Sequence, residues 1–341
     1  MPDLIQQDLE YIQKSVDCTF FHKKRIFVTG GTGFFGKWML ESFRWIINQE
    51  GVKISVIVLS RDPERFLKTN PSFARESWLS FLKGDIRSFE WPEEHCDYMI
   101  HGAADAGAGR TPEQVHEVAD VIEKGTERVL KFAAAKKPSR VLFLSSGAVY
   151  GTQPQNILHV DESYHGKPDT EYGRAKLSAE RLCCEYASAH GFEIAIARCF
   201  AFIGPFLPLG RYYAAGNFLQ NILDGKEVLI KGNGRTTRSY LYMSDLVIWL
   251  FKILQSGISL RPYNVGSDQR IEIADLAKLM VSLSGSNVPV RITNEYKEQG
   301  VAQYVPCIER AKKELNLKVG IGLEDAIRKM IEGAKYARMH E

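Results

Sequence analysis

Three groups of residues in this 341-residue chain could do chemistry together. They are Tyr172 and Lys176 in Tyr-Gly-Arg-Ala-Lys, the serine pair Ser145-Ser146, and a glycine-rich run that opens at Gly30. On a helix, residues four apart lie one above the other, so the Lys176 ammonium can reach the neighbourhood of the Tyr172 phenol. A phenol with a pKa of about 10 is too weak an acid to exchange protons near neutrality. A nearby cation favours the phenolate and lowers that value, while a serine hydroxyl can hold a substrate oxygen. Such a set interconverts a secondary alcohol and a ketone. The chain has 14 tyrosines, enough to meet a lysine at this spacing by chance, so the pair carries weight only through its surroundings.

The elements that must position these groups follow an α/β rhythm. Apolar runs at 25–29, 53–59, 98–101, 140–145 and 193–198, and one that ends with 81–85, predict strands, with helices over 38–47, 115–135 and 172–190 between them. That alternation implies a parallel sheet covered on both faces. Ahead of it, Leu4, Ile5, Leu9, Ile12 and Val16 stand at helical spacing, which predicts an amphipathic helix packed on the body. After Phe200 short pieces of strand and helix are separated by loops such as 204–210, the texture of a smaller second lobe. The expected fold is therefore α/β, a Rossmann-type doubly wound parallel sheet with a smaller C-terminal substrate-binding lobe. The expected division is a helical extension over 1–21, a dinucleotide-binding domain over 22–200 plus 238–268, and a substrate-binding domain over 201–237 plus 269–341.

Composition excludes several classes of function. Length and a 45% hydrophobic content allow a sizeable core, and a net charge of +3 leaves no footprint for nucleic acid. Lys23-Lys24-Arg25 is basic but runs straight into an apolar strand. The six cysteines form no CxxC, which fits reduced thiols and a cytoplasmic location. The N-terminus carries Asp3, Asp8 and Glu10 and no apolar leader, and no stretch approaches the roughly 20 apolar residues of a membrane span. His159 and His165 have no partner at ligand spacing, so no metal is expected.

Gly30-Gly-Thr32-Gly33-Phe34-Phe35-Gly36 follows a strand and opens a helix, the context that gives a glycine fingerprint meaning. Glycine permits the tight turn and brings backbone N–H groups to a pyrophosphate at the helix N-terminus. The second strand ends at Ser60-Arg61, with Ser60 where an NAD site would offer a carboxylate. The Arg61 guanidinium can meet a ribose 2′-phosphate, which favours NADP. Asp62 leaves NAD open.

These residues resemble the extended short-chain dehydrogenase/reductases that modify nucleotide-diphosphate sugars, the group of UDP-galactose 4-epimerase and dTDP-glucose 4,6-dehydratase. The resemblance spans about 24–340. Gly84-Asp85-Ile86-Arg87 is similar to the adenine-contacting segment, with Asp85 and Ile86 at the cofactor. Gly102-Ala103-Ala104, after His101, is similar to the stretch that lies along it. Ser145-Ser-Gly-Ala-Val-Tyr-Gly151 resembles the segment holding the catalytic hydroxyl and implies Ser146. Tyr172 and Lys176 match the catalytic pair, with Lys176 also binding the nicotinamide ribose. Asn217 matches a substrate-binding asparagine that begins a helix, and Arg238 the arginine that grips the diphosphate. Tyr263-Asn-Val-Gly266 is another landmark.

The departures narrow the chemistry. Dehydratases and decarboxylases of the family place acidic residues directly after the catalytic hydroxyl, where this chain has Gly147 and Ala148. Elimination then lacks its acid and base. Ala201 and Ile122 stand where asparagines are common, which alters the sugar pocket and the helix supporting a proton relay.

The resemblance implies an NADP-dependent reductase of an NDP-4-keto-(6-deoxy)hexose, in deoxysugar or surface-polysaccharide biosynthesis, acting as a homodimer. An NDP-sugar 4-epimerase with tightly held NAD(P) is the alternative. A non-catalytic NADP-binding scaffold is a third reading, disfavoured by the intact Ser146, Tyr172 and Lys176. Arg110 could reach sugar or phosphate, or be a solvated loop residue.

Overall fold

A computed structural model describes residues 2–104, 111–210, 213–293 and 302–339. The first half of the chain alternates strand and helix. The strands are β1 (Lys24–Thr29), β2 (Ile54–Ser60), β3 (Leu79–Lys83), β4 (Tyr98–His101), β5 (Arg140–Ser146) and β6 (Glu193–Cys199). The helices are α1 (Pro2–Ser15), α2 (Phe34–Glu50), α3 (Pro63–Thr69), α4 (Pro112–Lys136) and α5 (Glu171–His190). Beyond them come β7 (Phe202–Ile203), α6 (Ala214–Leu223), β8 (Val228–Ile230), β9 (Thr237–Arg238), β10 (Leu241–Tyr242), α7 (Met243–Ser256) and β11 (Pro262–Val265). The chain closes with β12 (Ile271–Glu272), α8 (Ile273–Ser284), β13 (Val290–Ile292), β14 (Gln303–Tyr304), α9 (Glu309–Leu315) and α10 (Leu323–Met339).

Seven strands form one sheet in the order β3-β2-β1-β4-β5-β6-β11, every neighbour parallel. The α/β, doubly wound fold expected from the sequence is present. Because side chains alternate along a strand, each strand feeds two cores. Ile26, Val28, Val56 and Leu142 join one with α1, α2 and α7, while Phe27, Ile57, Met99 and Phe143 join the other with α4 and α5. The third strand runs over Leu79–Lys83 and ends two residues before the expected Asp85, because Gly84 leaves the ladder after its N–H bonds the Ser60 carbonyl at 3.0 Å.

The amphipathic pattern at the N-terminus does form a helix, with Ile5, Leu9 and Ile12 buried. Polar anchors lie within that apolar contact. Tyr242 Oη donates to Asp8 at 2.8 Å, Lys329 Nζ stands 3.1 Å from Asp8, and Tyr11 Oη donates to Asp245 at 3.2 Å. Three small sheets, β10-β7, β12-β9-β14 and β13-β8, make up the rest. Among the described residues, no helix is long and apolar enough to cross a membrane.

Candidate active site

Strand order reverses between β1 and β4, and in open α/β sheets that switch point opens a crevice beyond the strand ends. Gly30 lies there with φ +77°, and a Cβ on it would sit 2.7 Å from the Gly102 carbonyl. Only glycine allows the two loops to close that far. Thr29 fastens them. Its carbonyl accepts the Gly102 N–H at 3.1 Å, and its hydroxyl accepts the Ala103 N–H at 3.1 Å. Ala104 continues the half-buried strip beside it.

Gly33 caps α2 without a side-chain hydrogen bond, so the first N–H groups over Phe34, Phe35 and Gly36 are free of any cap. An uncapped helix N-terminus behind Thr32 and a glycine cradle is what a pyrophosphate requires. The Phe35 ring lies 4.9 Å from Phe202, linking this loop to β7. The residues present therefore fit a dinucleotide.

At the end of β2, Ser60 is buried and its Oγ accepts the Asp62 N–H at 3.3 Å. The Asp62 carboxylate caps α3 by accepting the Arg65 N–H at 3.0 Å. Arg61 is exposed and makes no hydrogen bond or salt bridge with a described residue. Asp85, expected at the adenine, is gripped by both arms of Arg87 at 2.8 Å each. Those bonds hold its carboxyl down to about 2. Ile86 is buried beneath it.

Ser146 ends β5, buried, and its Oγ accepts the Ala148 N–H at 3.2 Å. Tyr172 occupies the first turn of α5, whose cap Thr170 accepts the Gly173 N–H at 3.1 Å. Ser146 acts on the Tyr172 phenol, opposing the rise that burial causes there. The two sequence-predicted hydroxyls therefore share one site.

Lys176 does not do what its spacing suggests. Its ammonium donates to the Leu144 carbonyl at 2.7 Å and sits 5.0 Å over the Phe143 ring. Burial pushes its pKa down to about 8, against the pull of Cys199, Cys183 and Glu180. Burial also dominates at Tyr172 and raises the phenol, with Tyr304 adding to the rise and Ser146 opposing it. The expected lowering of the phenol by Lys176 is thus corrected. The ammonium is spent on a backbone carbonyl, and the low-polarity pocket disfavours the phenolate.

Sequence reasoning missed Tyr304. On β14 it pairs Arg238 of β9 in parallel register, with the Arg238 guanidinium 5.4 Å over its ring. Its hydroxyl lies 3.5 Å from Ser146 Oγ and 3.5 Å from the Cys199 carbonyl. Burial pushes it up to about 12. A Cβ on Gly147 would come within 2.7 Å of that hydroxyl and 2.8 Å of the Phe200 ring. A tyrosine 158 positions from Ser146, in no recognisable motif, gives no local signal.

Arg238 is half-buried beside this group and donates to the Thr237 carbonyl at 3.2 Å. Asn217 does not begin its helix. Helix α6 starts at Ala214, and the Asn217 N–H already bonds the Tyr213 carbonyl at 2.9 Å, one turn in. Its half-buried amide makes no side-chain hydrogen bond with a described residue. Ile122 is buried in the α4–α5 core, and Ala201 is half-buried, its carbonyl accepting the Leu241 N–H at 3.0 Å. Arg110 lies outside the described residues.

A model of the NAD dependent epimerase/dehydratase family matches residues 26–266. The chain belongs to that family. This agrees with its resemblance to extended short-chain dehydrogenase/reductases. UDP-glucuronic acid decarboxylase 1 of Xenopus tropicalis is 26% identical over 322 residues, 91% of this chain and 72% of that one. dTDP-glucose 4,6-dehydratase of Streptomyces niveus is 23% identical over 325 residues, 90% of this chain and 92% of that one. The solved UDP-glucose 4-epimerase of Thermotoga maritima shares the fold of this epimerase/dehydratase family member at TM-score 0.79 and 22% identity, covering 92% of this chain and 99% of that one. A dTDP-glucose 4,6-dehydratase of Streptomyces venezuelae, solved with NAD bound, does so at TM-score 0.81 and 21% identity, covering 93% and 98%.

Proposed function

We propose that this family member is an NADP-dependent reductase of the C4 ketone of an NDP-4-keto-(6-deoxy)hexose. The observation that carries this is the space behind Ser146. Where elimination or decarboxylation would call for an added acid or base, Gly147 and Ala148 offer none, and the Tyr304 hydroxyl and Phe200 ring occupy the room a side chain at 147 would need. Hydride transfer to a ketone needs a single proton donor, and the pocket supplies phenols and a serine.

NADPH, when bound in the glycine cradle, supplies the hydride. Tyr172 gives its phenolic proton to the oxygen that was the ketone, and Ser146 holds that oxygen in place. Lys176 is assigned to the nicotinamide ribose. Arg238 fixes the diphosphate with its planar fork, and Asn217 is assigned to the substrate. Arg61, which makes no hydrogen bond or salt bridge with a described residue, and an Asp62 already engaged as a helix cap support NADP over NAD. Relatives with solved structures include a 4-epimerase, and the same hydroxyls would serve a 4-epimerase, which is the second reading.

A panel of NDP-sugars and NDP-4-keto sugars with NADPH and NADH tests both. Net NADPH consumption with a 4-keto sugar, giving a 4-hydroxy product, is the expected result. Interconversion of two NDP-sugars without net cofactor change would replace the reductase by the epimerase. Turnover of free hexoses as fast as their NDP forms would remove Arg238 from its role.

A further inference from the structure

Glu180, one turn after Lys176 on α5, is buried and carries a full set of partners. Ser145 Oγ donates to its Oε1 at 2.5 Å. Arg198 of β6 grips it with Nε to Oε1 at 3.0 Å and Nη2 to Oε2 at 2.7 Å. Arg198 Nη1 then donates to Tyr150 Oη at 2.9 Å, and Tyr150 Oη to Asn264 Oδ1 of β11 at 2.7 Å. One carboxylate thus ties the end of β5 to α5, and through Arg198 to β6, the turn after Ser146 and β11.

Consecutive side chains on a strand point to opposite sides, so fixing Ser145 fixes the direction of Ser146. The titratable groups facing Lys176 are Glu180 and Cys183 on its own helix, Cys199 on β6 and His101 on β4. Burial keeps both thiols well above their ordinary range and His101 down to about 3, so those three are neutral. Glu180 is the one of the four held in a salt bridge, with Arg198 at 2.7 Å.

We infer that Glu180, clamped by Arg198, is a positioning residue that aims Ser146 and keeps Lys176 charged. This rests on the proposed roles of Ser146 and Lys176, but one readout does not depend on the substrate. Glu180→Gln keeps the shape and removes the charge. NMR of the ligand-free protein with labelled lysine, assigned through Lys176→Arg, follows the Lys176 Nζ titration in both forms. The midpoint is expected to drop by about one unit in Glu180→Gln, the scale of losing one nearby opposite charge. An unchanged midpoint overturns the electrostatic half.

With the identified substrate, kcat is expected to fall about ten- to hundredfold while KM stays within twofold. Equal kcat in the two forms, or a parallel loss in KM, overturns the positioning half. Because a lone buried Arg198 can unfold the chain, Glu180→Met/Arg198→Met removes both charges together. That double variant is expected to regain the melting temperature but not kcat, and recovery of kcat would reduce the pair to scaffolding. Absence of any wild-type turnover on NDP-4-keto sugars, with the Nζ shift intact, would count against the proposed function alone.

Discussion

At the scale of single residues the pocket is a cluster of hydroxyls with one displaced cation. Tyr172→Phe removes a hydroxyl and keeps the ring, so the fold should stand while turnover falls by about 10²–10⁴, the usual worth of a positioned acid. Near-wild-type turnover of that variant would rule Tyr172 out as proton donor. Activity should decline as pH rises through about 8, where Lys176 loses its proton, and this limb should persist in Tyr172→Phe because the phenol lies higher. A limb that disappears with the phenol would move the titration to Tyr172. At the adenosine end, Arg61→Ala should weaken NADPH binding roughly ten- to hundredfold, about 1.5–3 kcal/mol for one charge-assisted contact, and leave NADH little changed. Equal losses for both cofactors, or a wild type that prefers NADH, would end the NADP assignment.

At the scale of elements, the N-terminal helix is held by buried carboxyls as well as by its apolar face. Asp245 accepts the Gly320 and Ile321 N–H groups at 3.0 Å each and the Tyr11 hydroxyl. Burial pushes its pKa up to about 6, against those hydrogen bonds, and Asp8 adds to the rise. Asp8 is itself raised, first by burial. A carboxyl raised on folding contributes stability that is full below its unfolded value near 4 and lost as pH climbs through the folded value. The wild type should therefore lose up to about 3 kcal/mol from this site between about pH 4 and pH 6–7. Asp245→Asn should not, so its stability relative to wild type should improve over that window in urea unfolding. Parallel pH curves for the two proteins would show that Asp245 does not titrate on folding.

At the scale of the molecule, one sheet carries both halves of the site. Strand β11, contributed late in the chain, completes it beside β6 and brings Asn264 to the catalytic side. The outer faces of α4 and α5 leave Val121, Leu182 and Tyr186 half-buried. Relatives of the family pair through these two helices, as the resemblance implies, and a homodimer is proposed here. Light scattering should give twice the chain mass at micromolar concentration, and Leu182→Glu/Tyr186→Glu should halve it. A wild type that stays monomeric would refute the dimer.

The sequence by itself determined the α/β alternation, the glycine turn before α2 and the amphipathic first helix. All of these rest on short-range periodicity, on glycine where backbones must close, or on motifs a few residues long. It could not determine the state of the side chains once buried. The Lys176 ammonium turns to the Leu144 carbonyl because a desolvated cation takes the nearest good acceptor, and i,i+4 spacing contains nothing about that competitor. Tyr304 reaches Ser146 only because β14 lies in register with β9, a long-range pairing with no local code. Gly147 read from sequence is a missing carboxylate; in the fold it is the space that phenol fills, and only tertiary packing could decide which neighbour came to fill it.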